Sequence, residues 1–157
     1  MLTIGIDPGL EGAVALLNRD GQEELVADLP AIRDGKLAWI DGGALHSMLL
    51  EAIHGRPCRV MIERVSARPE QGVSSSFVFG VGFGSVLSVL QVLRLPIEFV
   101  QPSTWKAALG LKKKKQASLD KARLLFPSAD LTLKKHDGRA EALLIAYYAQ
   151  MKRRAGT

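Results

Sequence analysis

The chain has 157 residues, 47% of them hydrophobic and 24% charged, which excludes a disordered polyampholyte and matches an ordinary folded domain. Its single cysteine, Cys58, excludes an internal disulfide framework and a cysteine zinc site, and suits a reducing cytoplasm. The net charge of +5 conceals an asymmetry: residues 1–100 carry 8 Lys and Arg against 12 Asp and Glu, whereas residues 101–157 carry 13 against 4. The length predicts one domain over residues 1–157, with a core that needs no staples. The start, Met1-Leu-Thr-Ile, shows neither a basic leader nor a cleavable apolar segment, so no secretory or transit signal is expected. The basic part is a candidate face for a polyanion such as nucleic acid, with a lysine-rich solvated surface as the plain alternative.

The first predicted strand, residues 3–7, places Leu2, Ile4 and Ile6 on one face and Thr3, Gly5 and Asp7 on the other. An acid inside an apolar strand needs a partner, because half-burying a charge costs several kcal/mol. That partner is a cation, a lysine or arginine, or the backbone of an Asp-Pro-Gly turn. Strands over 13–18 and 24–29 follow, joined by Pro8-Gly9 and by the turn residues 18–21, so the three read as an antiparallel meander. Residues 30–41 form a connection of mixed character. The stripe Leu45, Met48, Leu49, Ala52 and Ile53 predicts an amphipathic helix over 43–54, ended by Gly55 and Pro57.

Residues 58–65, CRVMIERV, form a second apolar strand that carries one acid, Glu63. A helix followed by a buried strand implies a crossover that sets this strand parallel to an earlier one, so Asp7 and Glu63 can lie side by side. Arg59 and Arg64 are alternative partners for Glu63. Residues 66–76 read as a polar loop directly after the second acid, placed to grip a substrate. Residues 71–93 contain no charged side chain, but serines, glutamines and glycines interrupt the apolar run, so a helix over 77–93 is expected to pack against protein and not to span a membrane. Gly80, Gly84 and Ser88 recur every four residues on it, which allows close approach of the sheet or of a second subunit.

A strand over 97–101 leads into a helix that ends at Leu109, with Ser103 as its expected cap. Lys112, Lys113, Lys114 and Lys115, with Trp105 and Lys106 nearby, make a plausible phosphate-gripping edge. A helix over 116–126 ends at Pro127. The last helix starts near Asp137 and runs to about Arg153, with Ala140, Leu143, Leu144, Ala146 and Tyr147 as its packing stripe. Asp137 and Glu141 are four apart and share one face, although either also suits a helix start by capping or by the macrodipole. His136 falls well away from the Glu141 face.

Four carboxylates gathered in one place repel strongly, and Mg²⁺ or Mn²⁺ with oxygen ligands relieves that repulsion. With only His46, His54 and His136 and one cysteine, zinc is disfavoured. Paired metals about 3.5–4 Å apart serve phosphodiester cleavage, and the basic half would hold the polyanion.

The segments IGIDPG at 4–9, VMIERV at 60–65, VQPSTWK at 100–106 and KKHDGRAEALLIAYY at 134–148 resemble the RuvC family of Holliday junction resolvases, particularly its phage-type members. Order and spacing match along nearly the whole chain. The resemblance implies a ribonuclease H-like α/β fold whose mixed five-stranded sheet, three antiparallel strands and then parallel ones, is flanked by helices. It implies a Mg²⁺-dependent endodeoxyribonuclease, active as a homodimer, that makes paired symmetric nicks in four-way DNA junctions and needs no small-molecule cofactor. Asp7, Glu63 and Glu141 match three of the family's acids. Relatives place an Asp or His three residues before the last acid, where this chain has Gly138. Asp137 is therefore the expected fourth ligand, with His136 in reserve. Some relatives carry a base-unstacking aromatic three residues after the second acid, where this chain has Ser66; Phe77 or Phe79 is the candidate substitute, with core packing as the plainer role for either. Lys106, Lys112–Lys115 and Arg68 are the expected DNA contacts. A nuclease of broader branched-DNA specificity and a non-catalytic junction-binding protein are the alternatives. An actin-like or sugar-kinase ATPase needs two domains and does not fit 157 residues.

Overall fold

The computed structural model describes residues 1–35, 37–64, 72–111 and 115–156. Strands β1 (Leu2–Asp7), β2 (Ala13–Leu17) and β3 (Glu23–Asp28) form the expected meander. Strand β4 (Ala31–Asp34) and strand β5 (Leu37–Ile40) follow, then helix α1 (Gly42–Ile53), strand β6 (Cys58–Glu63) and helix α2 (Val73–Val92). Strand β7 (Ile97–Val100), helix α3 (Pro102–Ala108), helix α4 (Lys115–Leu125) and helix α5 (Asp137–Arg154) complete the order, with one 3-10 turn at Lys134–His136.

The main sheet has the order β3-β2-β1-β6-β7. β1 runs antiparallel to β2 and parallel to β6, and β6 runs parallel to β7, which is the mixed five-stranded sheet expected. Alternation along β1 explains how both faces are covered. Leu2, Ile4 and Ile6 enter a core with Leu45 and Leu49 of α1 and Val86 and Leu90 of α2. The opposite face lies under α5, and there Gly5 is required. A β-carbon at Gly5 would stand 2.2 Å from the Ala142 carbonyl oxygen and 2.5 Å from the Ala146 nitrogen, so only glycine lets the helix backbone lie this close to the strand. Ala140, Ala142 and Ala146, all fully buried, keep that approach tight, and Leu143, Leu144 and Ile145 contribute apolar bulk to the same core. Each large aliphatic buried here contributes roughly 1.5–3 kcal/mol.

Several boundaries differ from the sequence reading. Residues 31–40, read as a plain connection, form a two-stranded hairpin in which Ile32 pairs with Trp39 and Asp34 with Leu37. Its turn carries Asp34-Gly35, with Gly35 at a left-handed φ of 57°, a local hairpin cue. Helix α2 begins at Val73 and not at Phe77, so serines 74–76 form helix and not loop. Ser103 is not the cap of α3. Gln101 holds that position without a side-chain bond, and Pro102 takes the first helical place, where its fixed φ and missing N–H cost nothing. Helix α2 is long and apolar enough to cross a membrane by length and composition, while Gly82, Val86, Val89 and Leu90 form its buried stripe.

Candidate functional site

Three elements deliver the acids to one end of the sheet. Ile6 of β1 pairs with Ile62 of β6, so the next residue on each strand, Asp7 and Glu63, stands at the adjoining strand ends. Helix α5 brings Asp137 in its first turn and Glu141 one turn later. The electrostatics of Asp7 register all four. Its carboxyl is pushed up to about 7, first by burial, then by the charges of Glu141 and Glu63, and to a smaller degree by Asp137, against a lowering by the Gly9 backbone N–H. That N–H reaches Asp7 Oδ1 at 3.5 Å, too long to satisfy a buried carboxylate, so the Asp-Pro-Gly turn alone does not account for the acid.

Two of the neighbouring acids carry donors of their own. The indole Nε1–H of Trp105 donates to Glu63 Oε2 at 2.8 Å. Lys106 Nζ donates to Glu141 Oε1 at 2.7 Å, and the buried Ser118 hydroxyl donates to the same oxygen at 3.2 Å. The Lys106 ammonium also stands 4.9 Å from the centre of the Trp105 ring. The ammonium beside Glu141 and the indole on Glu63 moderate the repulsion in part, and the raised Asp7 carboxyl shows that part of it remains. Among the described residues, no three His, Cys, Asp or Glu side chains stand close enough to chelate an ion as they are.

Gly138 owes its identity to the turn after β1. A β-carbon there would lie 2.4 Å from the Glu11 carbonyl oxygen and 3.0 Å from Gly12 Cα. The backbone of residues 11 and 12 fills the space a side chain at 138 would need, which seats α5 beside Asp7. His136 is buried, with Nδ1 3.7 Å from Asp130 on the side of a separate cluster. There Arg139 donates to both oxygens of Asp28, at 2.6 and 3.0 Å, and to Asp130 at 2.7 Å, tying α5 to the end of β3. The Arg139 guanidinium holds the Asp28 carboxyl below its usual range.

Phe77 stands 73% exposed near the start of α2. Lys115 is the first residue of α4, but its side chain, together with Lys112, Lys113, Lys114, Arg68 and Ser66, lies outside the described residues. Sequence reasoning missed the parts played by Trp105 and Ser118. Trp105 stood out only as an aromatic beside Lys106, and nothing local distinguishes Ser118 from an exposed helical serine.

No protein-family model matches the chain, and no curated protein does. Among solved structures, Thermus thermophilus RuvC in complex with Holliday junction substrate superposes with a TM-score of 0.70 at 20% identity, over 100% of this chain and 98% of that one. A second structure of T. thermophilus RuvC gives 0.61 at 23% identity, over 100% and 98%. The yeast mitochondrial Holliday junction resolvase Ydc2 gives 0.52 at 18% identity, over 98% of this chain and 81% of that one. The mixed five-stranded sheet flanked by helices agrees with these neighbours: the described residues have the ribonuclease H-like fold of the RuvC resolvases.

Proposed function

We propose that this protein is a divalent-metal-dependent endodeoxyribonuclease that resolves four-way DNA junctions by paired symmetric nicks. The observation that carries the reading is the carboxylate cluster at the sheet end, where Asp7 is held near pKa 7 by burial and by Glu141, Glu63 and Asp137. The similarity to a RuvC bound to Holliday junction substrate supports a branched-DNA substrate.

The donor set fits a hard cation. Asp7, Glu63, Asp137 and Glu141 offer only carboxylate oxygens, which suits Mg²⁺ with Mn²⁺ as substitute, whereas His136, whose Nδ1 faces Asp130, stays outside this set. When bound, such ions supply an activated water and stabilise the leaving oxygen. The chain's own residues do the rest. Lys106, beside Glu141, places a positive charge at the reacting phosphate, and Lys112–Lys115 with Arg68 are the proposed contacts to the DNA backbone. Phe77, exposed in the first turns of α2, stacks on a base at the crossover. Further along α2, Val81 is exposed and Gly80 and Gly84 have no described atom within 4 Å of a β-carbon position. That uncharged face is the surface for the second subunit of a homodimer, which paired nicking requires. The lone Cys58 is consistent with action in a reducing cytoplasm.

The test is nicking of a labelled four-way junction in Mg²⁺. Cleavage by the natural chain, abolished by Asp7→Asn with junction binding retained, is the expected result. Tight binding without cleavage supports a non-catalytic junction-binding protein, a second reading favoured by the Lys106–Glu141 ion pair and by the absence of a preassembled chelate among the described residues. Equal cleavage of flaps and forks makes it a broader branched-DNA nuclease.

A further inference from the structure

Trp105 is fully buried, and a buried indole N–H needs an acceptor. The acceptor here is not a backbone carbonyl but Glu63 Oε2, 42 residues away in sequence and 2.8 Å away in space. The face of the same ring lies 4.9 Å from the Lys106 ammonium, which itself contacts Glu141. One rigid side chain thus orients an acid with its edge and a lysine with its face. An uncharged donor has a property that a lysine lacks: the bond it makes fixes the carboxylate's rotation without itself neutralising it. Ser118, also uncharged and buried, donates to Glu141 in the same manner at 3.2 Å.

We propose that Trp105 is the positioning residue of the metal site, pre-setting Glu63 through its indole N–H and Lys106 through its ring. This rests on the reading of the acids as metal ligands. Trp105→Phe removes the N–H and keeps most of the ring, so it separates positioning from core filling. The natural chain and the variant are titrated with Mn²⁺, following loss of the free-ion electron paramagnetic resonance signal, alongside the Mg²⁺ dependence of junction nicking. The expected result is Mn²⁺ binding weakened about 10- to 100-fold, as for donors behind a ligand in other metal sites. The Mg²⁺ concentration for half-maximal nicking should rise by a similar factor, with junction binding little changed and a cooperative thermal transition retained at a lower temperature. A folded variant that binds Mn²⁺ as tightly as the natural chain overturns the proposal and leaves the nuclease reading intact. If the natural chain itself binds no Mn²⁺, the metal reading falls and this inference with it. Should Trp105→Phe fail to fold, the indole N–H resonance of Trp105 in the natural chain should shift on adding Mg²⁺ and on Glu63→Gln, since its acceptor is Glu63 Oε2. A resonance that moves with neither also overturns the proposal.

Discussion

Replacing Asp7 by asparagine removes the most strained charge in the fold, and the effect on stability has a definite size and pH profile. In the unfolded chain this carboxyl titrates near its ordinary value of 3.8, whereas in the folded protein burial and the neighbouring acids raise it to about 7. Between those values the folded state holds a proton that the unfolded state has lost, so stability falls as pH rises through this window. Above pH 7 the full penalty is present, and the gap from 3.8 to about 7 corresponds to about 4 kcal/mol at most. The substituted amide carries no charge at any pH. The variant should therefore be more stable than the natural chain by up to about 4 kcal/mol at pH 8 and nearly equal to it at pH 4. In a chain of this size that raises the melting midpoint by roughly 10 °C at pH 8. Urea denaturation of both proteins at pH 4, 6 and 8 without divalent ions measures the difference. Mg²⁺ should then stabilise the natural chain, by about 2.7 kcal/mol at a hundredfold excess over its Kd, and stabilise the variant far less. A gain that is absent at pH 8, or as large at pH 4 as at pH 8, refutes the argument that Asp7 is electrostatically stressed.

Three further outcomes are expected. Gly138→Ala drives a β-carbon into the Glu11 carbonyl, so it should cost about 1–3 kcal/mol in urea melts and reduce nicking by displacing Asp137 and Glu141. Lys106→Met leaves Glu141 with the Ser118 hydroxyl but without its ammonium. Nicking at saturating Mg²⁺ should fall at least about tenfold and the fold should lose about 3 kcal/mol in the absence of the ion, which single-turnover cleavage and thermal melts resolve. Val81→Arg places a charge in the uncharged outer face of α2 and should yield monomers by light scattering, with junction nicking lost before folding is.

Much of this was legible because it is local. Period-two alternation marked β1 and a short apolar run marked β6, and in each strand one acid broke the apolar pattern. The spacing of four placed Asp137 and Glu141 on one face of α5. The β4–β5 hairpin was also written locally, in Asp34-Gly35, but its strands are only four residues long and were read as a connection. Serines 74–76 read as loop because they close a polar stretch that contains proline and glycine, yet α2 begins at Val73 and runs through them.

The sequence by itself determined the order of the five main-sheet strands and of the helices, and the acids that interrupt apolar segments, because each depends on neighbours within a few residues; the parallel crossover was inferred from the helix between two apolar strands, and the structure supplied β1 as the partner. Only the tertiary structure decided that the Trp105 indole donates to Glu63, that Lys106 and Ser118 share one oxygen of Glu141, and that the turn backbone fills the space beside Gly138. Those hydrogen bonds are made across separations of 23 to 42 residues by packing distances of a few ångströms, and hydrophobic periodicity carries no record of them.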